Sequence, residues 1–398
     1  MPVRRAASES EPALWIRKNA WMSSICMASK ISNESPPFHG DVSPATPASF
    51  VDIRSLSEKL NEAMMQNNLL RALMSATAAV MLAAPAAAAP FIIDNDFSGP
   101  GGSDLQTVLF FLNNPDDTLL GLTVVTGDDW MHAEAAHLLR FLEVAGRPDI
   151  PVYEGAVLPL INTPQRLSAW EASYGKLGWK GAWNNPDKDG TTAGFDPTAV
   201  PTLDEGSPTI TAAAGSAAEF LIEQAHKFPG EITIIAAGPL TNLALATRLD
   251  PEFPKLIKQV VITSDPSANF RSESGKVTGF GGEFNIMFDP EAARIVLTAP
   301  FASIVSVGPV TEALSVDDAL IADIAAKGTP LAAYLAQYAW KDLPLWDEIA
   351  AAVAIDPSLA QASKDVLVNV DLAPGATLGT AIAYAADKGP GLGERPVT

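Results

Sequence analysis

The sequence predicts an α/β fold, with a mainly parallel central sheet flanked by helices. Three observations predict it. From Phe91 onward, short apolar runs alternate with amphipathic stretches. Phe91–Asp94 reads as a buried strand, whereas Met131–Ala145 carries its apolar residues at helical spacing. The composition, 47% apolar and 18% charged over 398 residues, is that of an ordinary globular chain.

In chain order, the spacing predicts a strand at Phe91–Asp94, a helix at Asp104–Leu112 and a strand at Leu119–Thr126. The helix Met131–Ala145 and a short strand, Pro151–Tyr153, follow. Ala217–Phe228 reads as helix, Ile232–Ala237 as strand, Leu240–Leu249 as helix and Val260–Thr263 as strand. Next come a helix at Pro290–Leu297 and a strand at Ser303–Val307. Helical patterns run from Asp317 to about Ile355, and strand-like runs at Val366–Val370 and Ala381–Tyr384 close the chain. Strands alternating with helices imply crossover units. In such sheets the site lies beyond the carboxyl ends of the strands. Residues 160–210 break the pattern, being rich in Trp, Gly, Asn, Pro and Asp and carrying Trp170, Trp179 and Trp183. They read as a loop insertion, either a lid that stacks on a ligand or, more commonly for such aromatics, an excursion packed onto the body.

Residues 1–63 show no sustained period and read as a disordered or wrongly assigned N-terminal extension. Residues 64–89 read as a secretory signal: Arg71 as a short basic flank, an apolar stretch, and an Ala-x-Ala end. The stretch is too short and too alanine-rich for a membrane anchor. Pro85 and the strand beginning at Phe91 argue against a buried alanine-rich helix. The expectation is therefore export, periplasmic or secreted, of a domain spanning 90–398. Mass spectrometry of the secreted protein tests it, and peptides from residues 1–60 in the mature form would sink it.

Lys+Arg 26 against Asp+Glu 46 gives a net charge of -20, which argues against a nucleic-acid partner and against anionic membrane surfaces. Cys26 is the single cysteine, so no intrachain disulfide, thiolate metal site or Cys-His pair can form. Four histidines speak against a His-rich zinc site, and His132 and His137, five apart on one helix, read as structural.

Chemistry concentrates at Asp94-Asn95-Asp96, where the first strand ends, with Asp104 opening the next helix. Several oxygen donors in one small region repel one another, and a hard cation is their natural partner. An Asp-rich turn with N-capping by Asp104 is the plainer reading. A phosphate cradle fits worse, because no Lys follows the Gly-rich loop. On this segment alone, the haloacid-dehalogenase phosphatases, whose first Asp is a nucleophile, are the serious competitor.

Further segments separate these readings. The chain carries Gly121-Leu-Thr-Val-Val-Thr-Gly127-Asp128 and Arg147-Pro-Asp-Ile-Pro-Val-Tyr-Glu-Gly155. It then carries Ile234-Ile-Ala-Ala237-Gly-Pro-Leu-Thr-Asn242 and Gly282-Glu283-Phe-Asn285-Ile-Met-Phe-Asp289. Leu345-Trp346-Asp347 comes last, at the head of a helix. Together, and in this order from about 91 to 360, they resemble the inosine–uridine-preferring nucleoside hydrolase family, and within it a branch common in fungi. The resemblance implies that family's fold, with a Rossmann-like core, and calcium-dependent hydrolysis of the N-glycosidic bond of ribonucleosides.

By the resemblance, Asp96 matches the aspartate that binds calcium and acts as general base on a calcium-bound water. Asp104 and Asp347 match calcium ligands, and Ala237 matches a main-chain carbonyl ligand. Asp94 supports the cluster. Glu283 and Asn285 match residues that hydrogen-bond the ribose hydroxyls, and Asp128 matches a substrate-facing Asn. A nest of carboxylates suits an oxocarbenium-like state, and attack by water opposite the base inverts the anomeric centre. The implied partner is a small-molecule nucleoside, and a homo-oligomer is left open. Two positions depart from the pattern. Ser103 stands where an aspartate normally binds a sugar hydroxyl. Trp346 replaces a histidine that helps the leaving base depart, and reads equally as a stacking surface or a pocket wall. These departures keep a nucleoside- or sugar-binding relative without turnover as the second hypothesis, and an Asp-x-Asp phosphatase as the third. The family's chains usually continue with another short strand and helix beyond the point where this one ends.

Overall fold

Alternate side chains of the first strand feed two separate cores. In β1 (Ala89–Asn95), Phe91 and Ile93 join one apolar cluster with Leu122, Ile235 and Val261, while Ile92 joins another with Ile234, Val260 and Ile262. A strand apolar on both faces belongs inside a parallel sheet covered on both sides. The structure, a computed structural model, describes residues 89–112, 117–183, 196–264, 283–308, 314–360 and 362–398. The extension 1–63 and all of 64–89 except Ala89 lie outside the described residues, and Ala89 opens β1.

Five further strands complete the sheet: β2 (Asp117–Val124), β3 (Val152–Glu154), β4 (Thr233–Ala236), β5 (Gln259–Thr263) and β6 (Ile304–Val307). All pair in parallel, in the order β3-β2-β1-β4-β5-β6. This is the doubly wound order, whose direction reverses between β1 and β4 and opens a crevice at their carboxyl ends. A smaller antiparallel sheet, β8 (Ala381–Ala385), β7 (Val366–Val370) and β9 (Arg395–Val397), closes the chain. Thr398 exchanges backbone hydrogen bonds with Ile304 and Ser306 of β6.

The helices begin at α1 (Ser103–Gln106) and α2 (Met131–Val144), followed by α3 (Pro164–Tyr174) and α4 (Ala217–Lys227). Then come α5 (Thr241–Leu249), α6 (Phe253–Leu256), α7 (Phe284–Phe288) and α8 (Pro290–Leu297). The last are α9 (Asp318–Ala325), α10 (Pro330–Tyr338) and α11 (Trp346–Ile355). Local sequence starts several of them. Ser216 and Glu219 form a capping box on α4, and Asp289-Pro290 and Thr329-Pro330 cap α8 and α10. Among the described residues, no helix is long and apolar enough to cross a membrane.

Two expectations need correction. The helix predicted over Asp104–Leu112 stays α-helical only to Gln106 and tightens into a 3-10 turn over Thr107–Phe110. The Thr107 hydroxyl bonds back to the Ser103 carbonyl, and Leu105, Val108, Leu109 and Phe110 are all buried, so no solvent face sets a 3.6-residue period. Secondly, the insertion at 160–210 is not all loop. Thr163 caps α3 with Pro164 at its first position, and Trp183 stacks on Phe288 at 4.4 Å. Trp170 donates to the Gly375 carbonyl. Two of its three tryptophans thus hold the insertion onto the body.

The far end of the insertion is pinned to α2. Glu143 accepts the N–H groups of Thr209 (2.6 Å) and Ile210 (2.9 Å), the Thr209 hydroxyl, and Arg140 at 3.0 Å. The Thr209 hydroxyl leads these bonds in holding the Glu143 carboxyl down at about 2. A carboxyl with a depressed folded pKa stabilises the fold above its unfolded value, and loses that contribution as pH falls toward about 2. Glu143→Gln is expected to lower the melting temperature at pH 7. Thermal melts at pH 7 and pH 3 check this: the gap to the parent protein narrows at pH 3, and an equal gap at both would refute it.

Candidate active site

The carboxyl end of β1 delivers Asp94 and Asn95 to opposite faces, with Asp96 just beyond. Asp94 is fully buried. Its Oδ1 accepts from Thr123 Oγ1 on β2 (2.5 Å) and from Asn242 Nδ2 on α5 (2.8 Å). Burial pushes its carboxyl up to about 7, against the pull of those two bonds. Asn242 also donates to the Val124 carbonyl and accepts the Ala156 N–H. Asp94 is therefore a tie between β1, β2 and α5. Asn95, facing the other way, donates to Asp347 Oδ2 at 3.0 Å.

Asp96 is enclosed by backbone. Its Oδ2 accepts the Asp128 N–H at 2.9 Å. Gly127 and Gly238 make room for it: a Cβ on Gly238 would lie 2.6 Å from Oδ1, and one on Gly127 would overlap Oδ2. The neighbouring Ala237 donates its N–H to the Asp94 carbonyl (3.0 Å), and its own carbonyl accepts from Asn285 Nδ2 (2.6 Å). Asp104, in α1, and Asp347, in α11, are buried and hydrogen-bonded to each other through their carboxyl groups. Burial raises both Asp96 and Asp104 well above the usual carboxylate range. The charges of Asp128 and Asp347 add to this at Asp96, and those of Asp347, Asp96 and Asp128 at Asp104. Burial also raises Asp347.

No basic side chain among the described residues pairs with Asp94, Asp96, Asp104 or Asp347. Buried carboxylates that repel one another without a cation form a donor set suited to a hard divalent ion. In this arrangement Asp104, Asp347 and the Ala237 carbonyl are engaged with protein partners instead. Among the described residues, no three His, Cys, Asp or Glu side chains are gathered in a geometry ready to hold a metal.

A cleft opens beside this cluster, its walls including Ser103, Asp104, Asp128, Trp340, Trp346 and Glu348. Asp96 and Asp347 touch those walls through the Asp128 N–H and the Ser103 hydroxyl. Trp346 is half-buried in the wall. The Asp128 carboxyl is pushed up to about 6, mainly by burial, while Trp179 Nε1 donates to its Oδ1 (2.5 Å) and pulls the other way. So the third tryptophan of the insertion does reach the site. Glu283 caps α7, accepting the N–H groups of Asn285 (3.0 Å) and Ile286 (3.2 Å), and burial pushes its carboxyl up to about 7. Asn285 joins the cluster through Ala237, and its Oδ1 has no partner among the described residues. The cleft therefore gathers Ser103, Asp104, Asp128 and Trp346 directly, while Glu283 and Asn285 stand outside its lining. His132 pairs with Glu154 and His137 with Glu205.

Sequence reasoning assigned no role to Asn95, Asn242 or Glu348, and considered Trp179 only as part of a stacking lid. Glu348 was readable as a second acidic residue in the first turn of α11, and Asn95 as the opposite-face neighbour of Asp94. Trp179 stood out in the aromatic insertion, but its bond to Asp128, 51 positions away, had no local trace.

Comparison with known proteins bears on this arrangement. The sequence model of the inosine-uridine preferring nucleoside hydrolases matches residues 91–396. An uncharacterised protein of Schizosaccharomyces pombe is 31% identical over 312 residues, covering 73% of this chain and 75% of its own. A probable uridine nucleosidase 2 of Arabidopsis thaliana is 39% identical over 217 residues, 54% of this chain and 58% of its own, so the match spans little more than half of that relative. Among solved structures, a plant nucleoside hydrolase superposes with a TM-score of 0.56 at 26% identity, covering 78% of this chain and 92% of the other. A purine-preferring ribonucleoside hydrolase from Gardnerella vaginalis, at 22% identity and a TM-score of 0.55, covers 77% and 92% and speaks for the fold alone. Fold and matches together define the class, hydrolases acting on N-glycosyl bonds. The chain belongs to the inosine-uridine preferring nucleoside hydrolase family. That membership decides against the phosphatase reading of Asp94-Asn95-Asp96.

Proposed function

We propose that this protein hydrolyses the N-glycosidic bond of ribonucleosides with calcium as its metal, releasing free base and ribose. The observation that carries the proposal is the burial of Asp96, Asp104 and Asp347 together, beside an open cleft and without a basic partner. Asp96, Asp104, Asp347 and the Ala237 carbonyl would hold the ion. Calcium bound there supplies a Lewis acid that makes water easier to deprotonate and offsets the mutual repulsion of the carboxylates.

The chain's own residues do the rest. Asp96, as proposed, takes a proton from the attacking water. The surrounding carboxylates favour positive charge developing on the sugar. Glu283 and Asn285 orient the ribose through its hydroxyls, and Asp128, held by Trp179, faces the substrate. Trp346 offers an indole face for a purine or pyrimidine. Water entering opposite the base inverts the anomeric centre.

Incubation with inosine, uridine and adenosine, with and without a chelator, tests this. Expected is release of free base that stops with chelator and returns with added calcium. Binding without release would instead support a non-catalytic relative, the outcome favoured if Trp346 leaves no proton donor for the base. Release indifferent to chelator would overturn the metal assignment. Export after removal of residues 64–89 accompanies the proposal, supported by the signal-like pattern there, and N-terminal sequencing of secreted protein checks it.

A further inference from the structure

We propose that Glu348 is a substrate-binding residue of the cleft, its carboxyl group accepting a hydrogen bond from a sugar hydroxyl, with Ser103 as its positioning partner. The inference rests on the nucleoside reading given above. It starts from how the hydrogen-bonding capacity of the cleft wall is used. Glu348 lies in the first turn of α11 and is 3% exposed. Its Oε2 accepts from Ser103 Oγ at 2.5 Å, and the same hydroxyl accepts the Asp347 N–H at 3.2 Å. Both sides of the Ser103 hydroxyl are thereby used, so its rotor is fixed and the Glu348 carboxyl group with it. The other oxygen, Oε1, is buried without a partner among the described residues.

The neighbouring acids are already engaged. Asp96 accepts the Asp128 N–H, Asp128 accepts from Trp179, and Asp347 accepts from Asn95 and bonds Asp104. Among the carboxyl groups lining the cleft, Glu348 is the one with an orphaned buried oxygen. Nearly every buried acceptor in a folded protein finds a donor, and an orphaned oxygen on a residue of the cleft wall is a candidate partner for a donor on a ligand. The ligand must donate, and a neutral one suits a cleft walled by the acidic groups Asp104, Asp128 and Glu348 better than an anion does. A neutral polyol such as a ribosyl group meets both conditions, whereas a phosphorylated sugar meets the second less well.

The test compares uridine with its 2′-deoxy and 3′-deoxy analogues, by calorimetric binding and by base release. The proteins are the parent chain, Glu348→Ala, the near-isosteric Glu348→Gln, and the double variant S103D/E348A. The double variant restores a carboxyl group from the opposite side of the same hydrogen bond. The parent is expected to prefer uridine over at least one deoxy analogue. Burial pushes the Glu348 carboxyl up to about 8, so Glu348→Ala should reduce that preference by about 2- to 10-fold, the step expected for one hydrogen bond between neutral groups. Glu348→Gln should fall between, and the double variant should recover part of the preference. Thermal melts of the Gln variant separate loss of recognition from loss of fold. An unchanged preference in folded Glu348→Gln and Glu348→Ala overturns the inference while leaving the nucleoside reading in place. A parent that binds with the stated preference but releases no base retains the inference and removes catalysis. A parent that neither binds nor cleaves any of the three compounds removes both.

Discussion

Asp96→Asn is expected to abolish base release, with kcat lowered by roughly 10²- to 10⁴-fold, the range for losing a general base. The substitution is nearly isosteric, so the enclosure by Gly127 and Gly238 is undisturbed. The amide oxygen can still accept the Asp128 N–H now bonded to Oδ2. Burial and the charges of Asp128 and Asp347 disfavour the ionised acid, so its neutral replacement does not cost stability in the metal-free protein. Loss of activity with an unchanged or raised melting temperature is the expected pair of results. The check is ultraviolet absorbance of released base on one sample and circular dichroism melting on another. Activity within a few-fold of the parent would remove Asp96 from the role of base.

The second large effect is expected from a single methyl group. Gly238→Ala puts a Cβ 2.6 Å from Asp96 Oδ1 and 2.8 Å from the Asp96 backbone nitrogen, closer than real Cβ contacts lie. One of the two neighbours has to move, and the backbone nitrogen is held by its bond to Asn95 Oδ1 at the end of β1. Displacing the carboxylate by about 1 Å is enough to cost on the order of 10²-fold in rate. The variant should therefore be folded and poorly active. Base-release kinetics, with a fold check by circular dichroism, decide it, and a fully active Gly238→Ala would show that Asp96 tolerates displacement.

The sheet was legible because its strands are buried on both faces and bounded by glycine, proline and polar residues. Ile92 and Ile93 are equally buried on opposite sides of β1, and no other element type accommodates that in so short a run. The carboxylates were legible for a related reason: buried acids at a strand end need an explanation that surface acids do not. Other features depend on contacts with no local trace. In α3 only Leu167 and Glu171 are buried, so periodicity is weak, although Thr163-Pro164 was a readable start. The 3-10 turn after Gln106 reflects burial on every side, which erases the pattern that a helix prediction needs. The bond from Asn285 to the Ala237 carbonyl joins positions 48 apart, and the orphaned oxygen of Glu348 depends on what packs around it. Neither can be read from residue type.

Asn95 and Asp347 meet across 252 positions of chain. By Val307 all six strands of the large sheet have already been laid down, yet the third carboxylate and the Trp346–Glu348 wall arrive only with α11. During synthesis, then, the scaffold precedes the chemistry. If Asp347 acts as proposed, a chain stopped short of it carries every strand of the large sheet and no activity, and it also lacks the cover that Ile349, Ala350 and Ala351 give one face of that sheet.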